Sequence, residues 1–211
     1  MTIDPTPITQ LVAAIHEKRD EAAKTMVKEN SGLLMEKDRY GATPLLSAFF
    51  AGNKEMIFFL LERGADVHAR NSEGHTPLHL LTHTRLQPCL KAEDTNKIGE
   101  ILLSKGADIH AKTLQSLTPL HMAVLNRGLP AVSFLMSRGA DPHLADNNRN
   151  TPLSIAQKRN DRAIIKVILD EMERRKEEQT TVDQAVAAQK RHADTRARLD
   201  QILNRRKGHR S

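Results

Sequence analysis

One tripeptide sets the frame of this chain by returning at fixed distance. Thr43-Pro44-Leu45 recurs as Thr76-Pro77-Leu78, Thr118-Pro119-Leu120 and Thr151-Pro152-Leu153, at spacings of 33, 42 and 33 residues. A second signature keeps phase with it: Gly64-Ala65-Asp66 recurs as Gly106-Ala107-Asp108 and Gly139-Ala140-Asp141, 42 and 33 residues apart. A fixed period of this length marks a stack of like units, each burying its apolar face only against its neighbours.

The unit's residues predict two short helices and a turn. Threonine before proline is a helix start: the hydroxyl accepts an orphan backbone N–H, and proline lacks a donor that the first turn would waste. Leu45, Ala48 and Phe49 share one face of the first helix, and Met56, Ile57, Leu60 and Leu61 form the stripe of the second. Gly64 ends that helix, and Arg63, Lys105 and Arg138 precede the stopping glycines where cations suit the helix dipole.

The strongest stretches, Gly74-His75-Thr76-Pro77-Leu78-His79 and Thr118-Pro119-Leu120-His121-Met122-Ala123 with the Gly-Ala-Asp turns, resemble the ankyrin repeat. That resemblance covers most of residues 38–169. It implies an all-α ankyrin-repeat solenoid of about five repeats, with a charged C-terminal helical extension.

Residues 1–37 are expected to be a degenerate capping repeat, since its signatures are worn and an end unit has one bare side. Residues 38–170 hold repeats two to five. The third carries nine extra residues within 83–97, where Pro88 interrupts any helix and Asp94 or Thr95 suits a helix start. Gly99 stands where the family has valine, which predicts a weakly packed layer. Ser116 and Arg149 stand where the family turn has glycine. Residues 171–211 read as a charged helical or disordered basic tail. Thr181-Val182-Asp183-Gln184 has the spacing of a capping box and predicts a separate helix from Val182 to about Arg206. Its apolar residues, Val182, Val186, Leu199, Ile202 and Leu203, give a coiled coil only weak support.

Composition excludes several classes. Aromatic content is 3 %, with no Trp, which suits thin aliphatic layers. The chain shows no long apolar run and no signal-peptide pattern, and its single Cys89 precludes an internal disulfide. A cytoplasmic, monomeric protein is expected, with nuclear location or delivery into a host cell as alternatives. The net charge of +6 resides wholly in residues 189–211.

The histidines invite a catalytic or metal reading. The resemblance instead gives His79 and His121 the task of bonding neighbouring turns, and His68, His110 and His143 that of tying hairpins. His79, His83 and Cys89 fall short of a zinc ligand set, no phosphate loop or nucleophile motif is present, and no base serves Cys89. No enzyme, metal, cofactor or small-molecule substrate is expected.

Ankyrin stacks bind partners through hairpin tips and the inner face of their first helices. Carried over by position, the resemblance points to Arg39, Tyr40, Ser72, Glu73, His75, Leu114, Gln115 and Leu117 at the tips. On the helices it points to Ser47, Phe50, Leu80 and Met122, with His83, Leu125, Ile155 and Lys158 in register. The expected role is non-catalytic capture of a protein partner. A second reading is binding of nucleic acid or an anionic surface through Arg205, Arg206, Lys207 and Arg210, although residues 171–211 contain no aromatic to stack on bases. A third is a secreted bacterial effector that binds a host protein, since small stand-alone ankyrin proteins with charged tails resemble such effectors.

Overall fold

The computed structural model of the chain describes residues 6–82 and 91–207. Elements are helical among these residues. The first repeat comprises α1 (Pro7–His16), α2 (Asp20–Glu29) and a 3-10 turn, Ser31–Leu34. The second comprises α3 (Pro44–Ala51) and α4 (Lys54–Glu62), the third a 3-10 turn (His79–Thr82) and α5 (Ala92–Ser104). The fourth is α6 (Pro119–Leu125) and α7 (Leu129–Ser137); the fifth opens with α8 (Pro152–Lys158) and enters α9 (Arg162–Lys207). First helices pack in the order α1, α3, the His79–Thr82 turn, α6, α8, while α2 packs on α4 and α5 on α7. Leu45, Leu46, Phe49, Met56, Ile57 and Leu60 are fully buried in the second repeat. Such side chains contribute roughly 1.5–3 kcal/mol each over leaving them exposed, and no single helix here could bury them alone.

Each hairpin tip turns through a left-handed residue. Gly41 and Gly74 have φ of 72° and 83°, and Ser116 and Arg149 take the same conformation at 60°. Replacing the family glycine has therefore left the turn intact, with the backbone cost carried by a side-chain-bearing residue. An aspartate, asparagine or threonine at the start of each tip ties it. Asp38 Oδ1 accepts from Tyr40 N and Ala42 N (2.8 and 2.9 Å), and Asn71 Oδ1 from Glu73 N and His75 N (3.1 and 2.9 Å).

Three expectations need correction. Gly99 does not loosen its layer: a methyl group built there would lie 2.3 Å from Cε1 of Phe134, whose ring occupies the space a valine would take. Helix α5 begins at Ala92, ahead of the expected Asp94 or Thr95. Asp94 instead sits inside the first turn, where its carboxylate accepts from Lys91 N and pairs with Lys54 Nζ at 3.0 Å. Finally, no helix starts at Thr181. Helix α9 is continuous, and the Thr180 and Thr181 hydroxyls donate to the carbonyls of Lys176 and Glu177, four residues back.

The chain divides into two compact units, residues 1–168 and 169–211. Within the second, Glu171 pairs with Arg174 and Arg175 (2.5 and 3.2 Å), Arg174 also pairs with Glu178, and Gln179 donates to Asp183. Spacings of three and four residues put these partners on one helix face. Val182 and Val186 are exposed.

Candidate partner-binding surface

Tip joins tip through the backbone. Ser72 N donates to Tyr40 O at 3.2 Å, Leu114 N to Glu73 O at 3.1 Å, and Asn147 N to Gln115 O at 3.1 Å. Side chains at the tips are thereby set in a row of fixed spacing.

At one end of that row lies a hollow of about 370 Å³. Tyr40, Ala42, Ser72 and Glu73 from the tips line it together with Ser47 and Phe50 of α3, Val12 and His16 of α1, and the tip-starting Asp38 and Asn71. Tyr40 is 60 % exposed, and the Arg39 guanidinium lies over its ring, 4.8 Å from the centroid. Glu73 Oε2 lies 3.1 Å from His75 Nδ1. Burial holds the His75 imidazole below its ordinary pKa, against the pull of Glu73.

The structure thus brings five of the expected residues, Tyr40, Ser47, Phe50, Ser72 and Glu73, around one hollow. Val12, His16, Asp38 and Asn71, which were not among the expected binding residues, join them. Leu114 stands 73 % exposed at the next tip beside exposed Gln115, while Leu117 and Met122 are half-buried. Leu80 is a correction: it is buried, as are Ser47 and Ile155 at the same position of their repeats. At Ser47, Leu80 and Ile155, four residues after the threonine, the side chain is buried within the stack, whereas Met122 at the same position is half-buried. The position one turn later, held by Phe50, Leu125 and Lys158, reaches the surface. Ser47 lines the hollow while remaining only 2 % exposed.

His79 and His121 knit the stack. His79 Nδ1 accepts from Thr76 N (3.2 Å) and lies 2.8 Å from the Thr76 hydroxyl; Nε2 then carries the proton and donates to Leu117 O at 2.9 Å. His121 repeats this with Thr118 N (3.1 Å) and Asn150 O (3.1 Å). Burial lowers the pKa of both, that of His79 to about 4, so each is neutral at pH 7. Both His79 nitrogens are engaged, which argues against its serving a metal; His83 and Cys89, the other members of that candidate set, lie outside the described residues. In the second repeat Leu46 stands where these histidines stand, and the buried Thr43 hydroxyl has no hydrogen-bond partner. Of the hairpin histidines, His110 accepts from Asp141 N at 3.2 Å. In all three turns the aspartate accepts from the backbone N–H of the histidine two residues on: Asp66 from His68, Asp108 from His110 and Asp141 from His143, each at 2.8 Å.

Arg205, Arg206 and Lys207 fall within α9, and Arg210 lies outside the described residues. Among the described residues no group of His, Cys, Asp or Glu could hold a metal ion, and no helix is long and apolar enough to cross a membrane.

Paired helices, clamped tips and imidazoles bonded across repeats define an ankyrin stack, and comparison with known proteins agrees. Residues 40–72 match the family model described as Ankyrin repeat, and residues 86–180 match that described as Ankyrin repeats (3 copies). Together these matches span more than half of the chain, which belongs to the ankyrin repeat family. Among curated proteins, it is similar to the mouse Protein fem-1 homolog A-like, at 39 % identity over 54 residues. That match covers 26 % of this chain and 8 % of the mouse protein, so only a small part of that relative's length is represented. Ankyrin repeats are generally protein–protein interaction modules.

Proposed function

We propose that this chain is a non-catalytic module that captures a protein partner on the hairpin tips and the inner face of its first helices. One observation carries the reading: the hollow of about 370 Å³ gathers exposed Tyr40 with Phe50, Ser72 and Glu73. An aromatic residue standing in water beside a concavity is the usual anchor of such an interface. Leu114 extends the apolar surface to the next tip. The patterned residues inside the stack are occupied with packing, so recognition falls to the tips. A cytoplasmic monomer is the setting this reading favours, consistent with the lone Cys89.

The test is capture from a cell lysate by the intact chain and by a variant carrying alanine at Tyr40, Phe50 and Leu114, with matched thermal melts. Loss of the captured protein by a folded variant supports the reading; undiminished capture removes the tips from the interface. A chain shortened to residues 1–178, assayed alongside, tests the competing role of the basic segment 189–211. Binding that resides there vanishes on truncation and falls steeply with salt.

A further inference from the structure

Two carboxylates, Asp38 and Glu73, line the hollow together with His16. Its lining includes no lysine or arginine, and the Arg39 guanidinium lies beside it over the Tyr40 ring. Glu73 is largely exposed, and burial keeps its neighbour His75 neutral, so at neutral pH His75 does not cancel the Glu73 carboxylate. Tyr40 and Phe50 add aromatic walls to the same hollow. The chain itself already shows that Tyr40 accepts a cation: the Arg39 guanidinium stacks on its ring at 4.8 Å. A nucleic-acid or phosphate ligand would meet like charge here.

We propose that the hollow takes a basic segment of a protein partner, with an arginine or lysine side chain between Asp38 and Glu73 and an apolar neighbour against Tyr40 and Phe50. This rests on the docking role proposed above and adds the chemistry of the partner. A planar guanidinium suits both parts of the site, pairing with carboxylates and stacking on tyrosine. The hollow is also of a size for one or two side chains rather than a folded surface, which favours an extended segment.

Fluorescence anisotropy of the full chain decides the matter. The probe is a labelled peptide of alternating arginine and leucine, set against versions with glutamine or glutamate in place of arginine. The variants are Asp38→Asn with Glu73→Gln, and separately Tyr40→Ala. Asparagine at 38 keeps the turn, because Asn71 already ties the next tip with the same two backbone bonds. The expected result is binding of the arginine peptide, weakened about tenfold in the double variant and by added salt, with the glutamate peptide excluded. If arginine and glutamine peptides bind alike, or the double variant binds the arginine peptide as the parent does, the cationic assignment is overturned. In that case, loss on Tyr40→Ala leaves the docking reading standing. If Tyr40→Ala also changes nothing, both fall.

Discussion

The ring of Phe134 in α7 occupies the place of the side chain that Gly99 in α5 lacks. A methyl group at 99 would meet Cε1 and Cζ at 2.3 and 2.5 Å, and Phe134 is only 4 % exposed. The two positions are therefore one packing decision divided between neighbouring repeats. Gly99→Val, which restores the family residue, is expected to destabilise the protein by roughly 1–3 kcal/mol through overpacking. In a Phe134→Leu background the same substitution should cost markedly less. Chemical denaturation of the two single variants and the double variant measures the coupling, and simple additivity would refute it.

The buried threonines make a second contrast. Thr118 Oγ1 caps α6 and lies 2.8 Å from His121 Nδ1, whereas the Thr43 hydroxyl is buried without a partner. Thr118→Val is expected to cost about 1–2 kcal/mol. Thr43→Val removes only an orphan and should be neutral or stabilising by up to about 1 kcal/mol. Equal losses in thermal or urea unfolding would contradict the assignment.

Stability should depend on pH through the buried imidazoles. Native His79 takes up a proton only near pH 4, while in the unfolded chain it does so near its ordinary 6.5. Between these values the unfolded state binds more protons, so the contribution is complete above pH 6.5 and is lost as pH falls to 4. A gap of this size is worth about 3 kcal/mol. His79→Leu, a residue that the fold accepts at the matching position 46, should flatten this dependence in denaturant melts across that range. His121 shifts in the same direction and leaves a residual slope.

At the tips, Ser116 adopts φ of 60° with a side chain attached. Ser116→Gly is expected to stabilise by about 0.5–1 kcal/mol, the relief of left-handed strain exceeding the added freedom of the unfolded chain. Gly74→Ala should do the reverse by at least about 1 kcal/mol, because φ is 83° and a methyl would lie 3.0 Å from Leu114 N. Thermal melts that moved the other way would show that the tips tolerate strain differently.

The stack was readable in the sequence because period, capping threonines and stopping glycines are local chemistry. What escaped reading depended on residues far apart. Gly99 looked like a void until Phe134, 35 residues later, was found filling it. Leu80 looked like inner face, but it is buried within the stack, as Ser47 and Ile155 are, while Met122 at the same position is half-buried. Val12 and His16 gave no sign of lining the hollow, since they come to share it with Ser72 and Glu73, about 60 residues away in the chain, only through the stacking of repeats. Thr181 carried a capping pattern, yet a threonine hydroxyl bonds equally well to the carbonyl one turn back inside a continuing helix.

The bonds from Ser72 N to Tyr40 O, from Leu114 N to Glu73 O and from Asn147 N to Gln115 O use main-chain atoms alone, while Asn147 adds a side-chain bond from Nδ2 to Leu114 O at 3.1 Å. At positions 40, 73 and 115 pitch and vocabulary are thus carried by different atoms. Mutation can rewrite the side chain at positions 40, 73 or 115 without touching the bond that sets its distance from the next. The exposed tip side chains can change in single-residue steps, each compatible with the same scaffold.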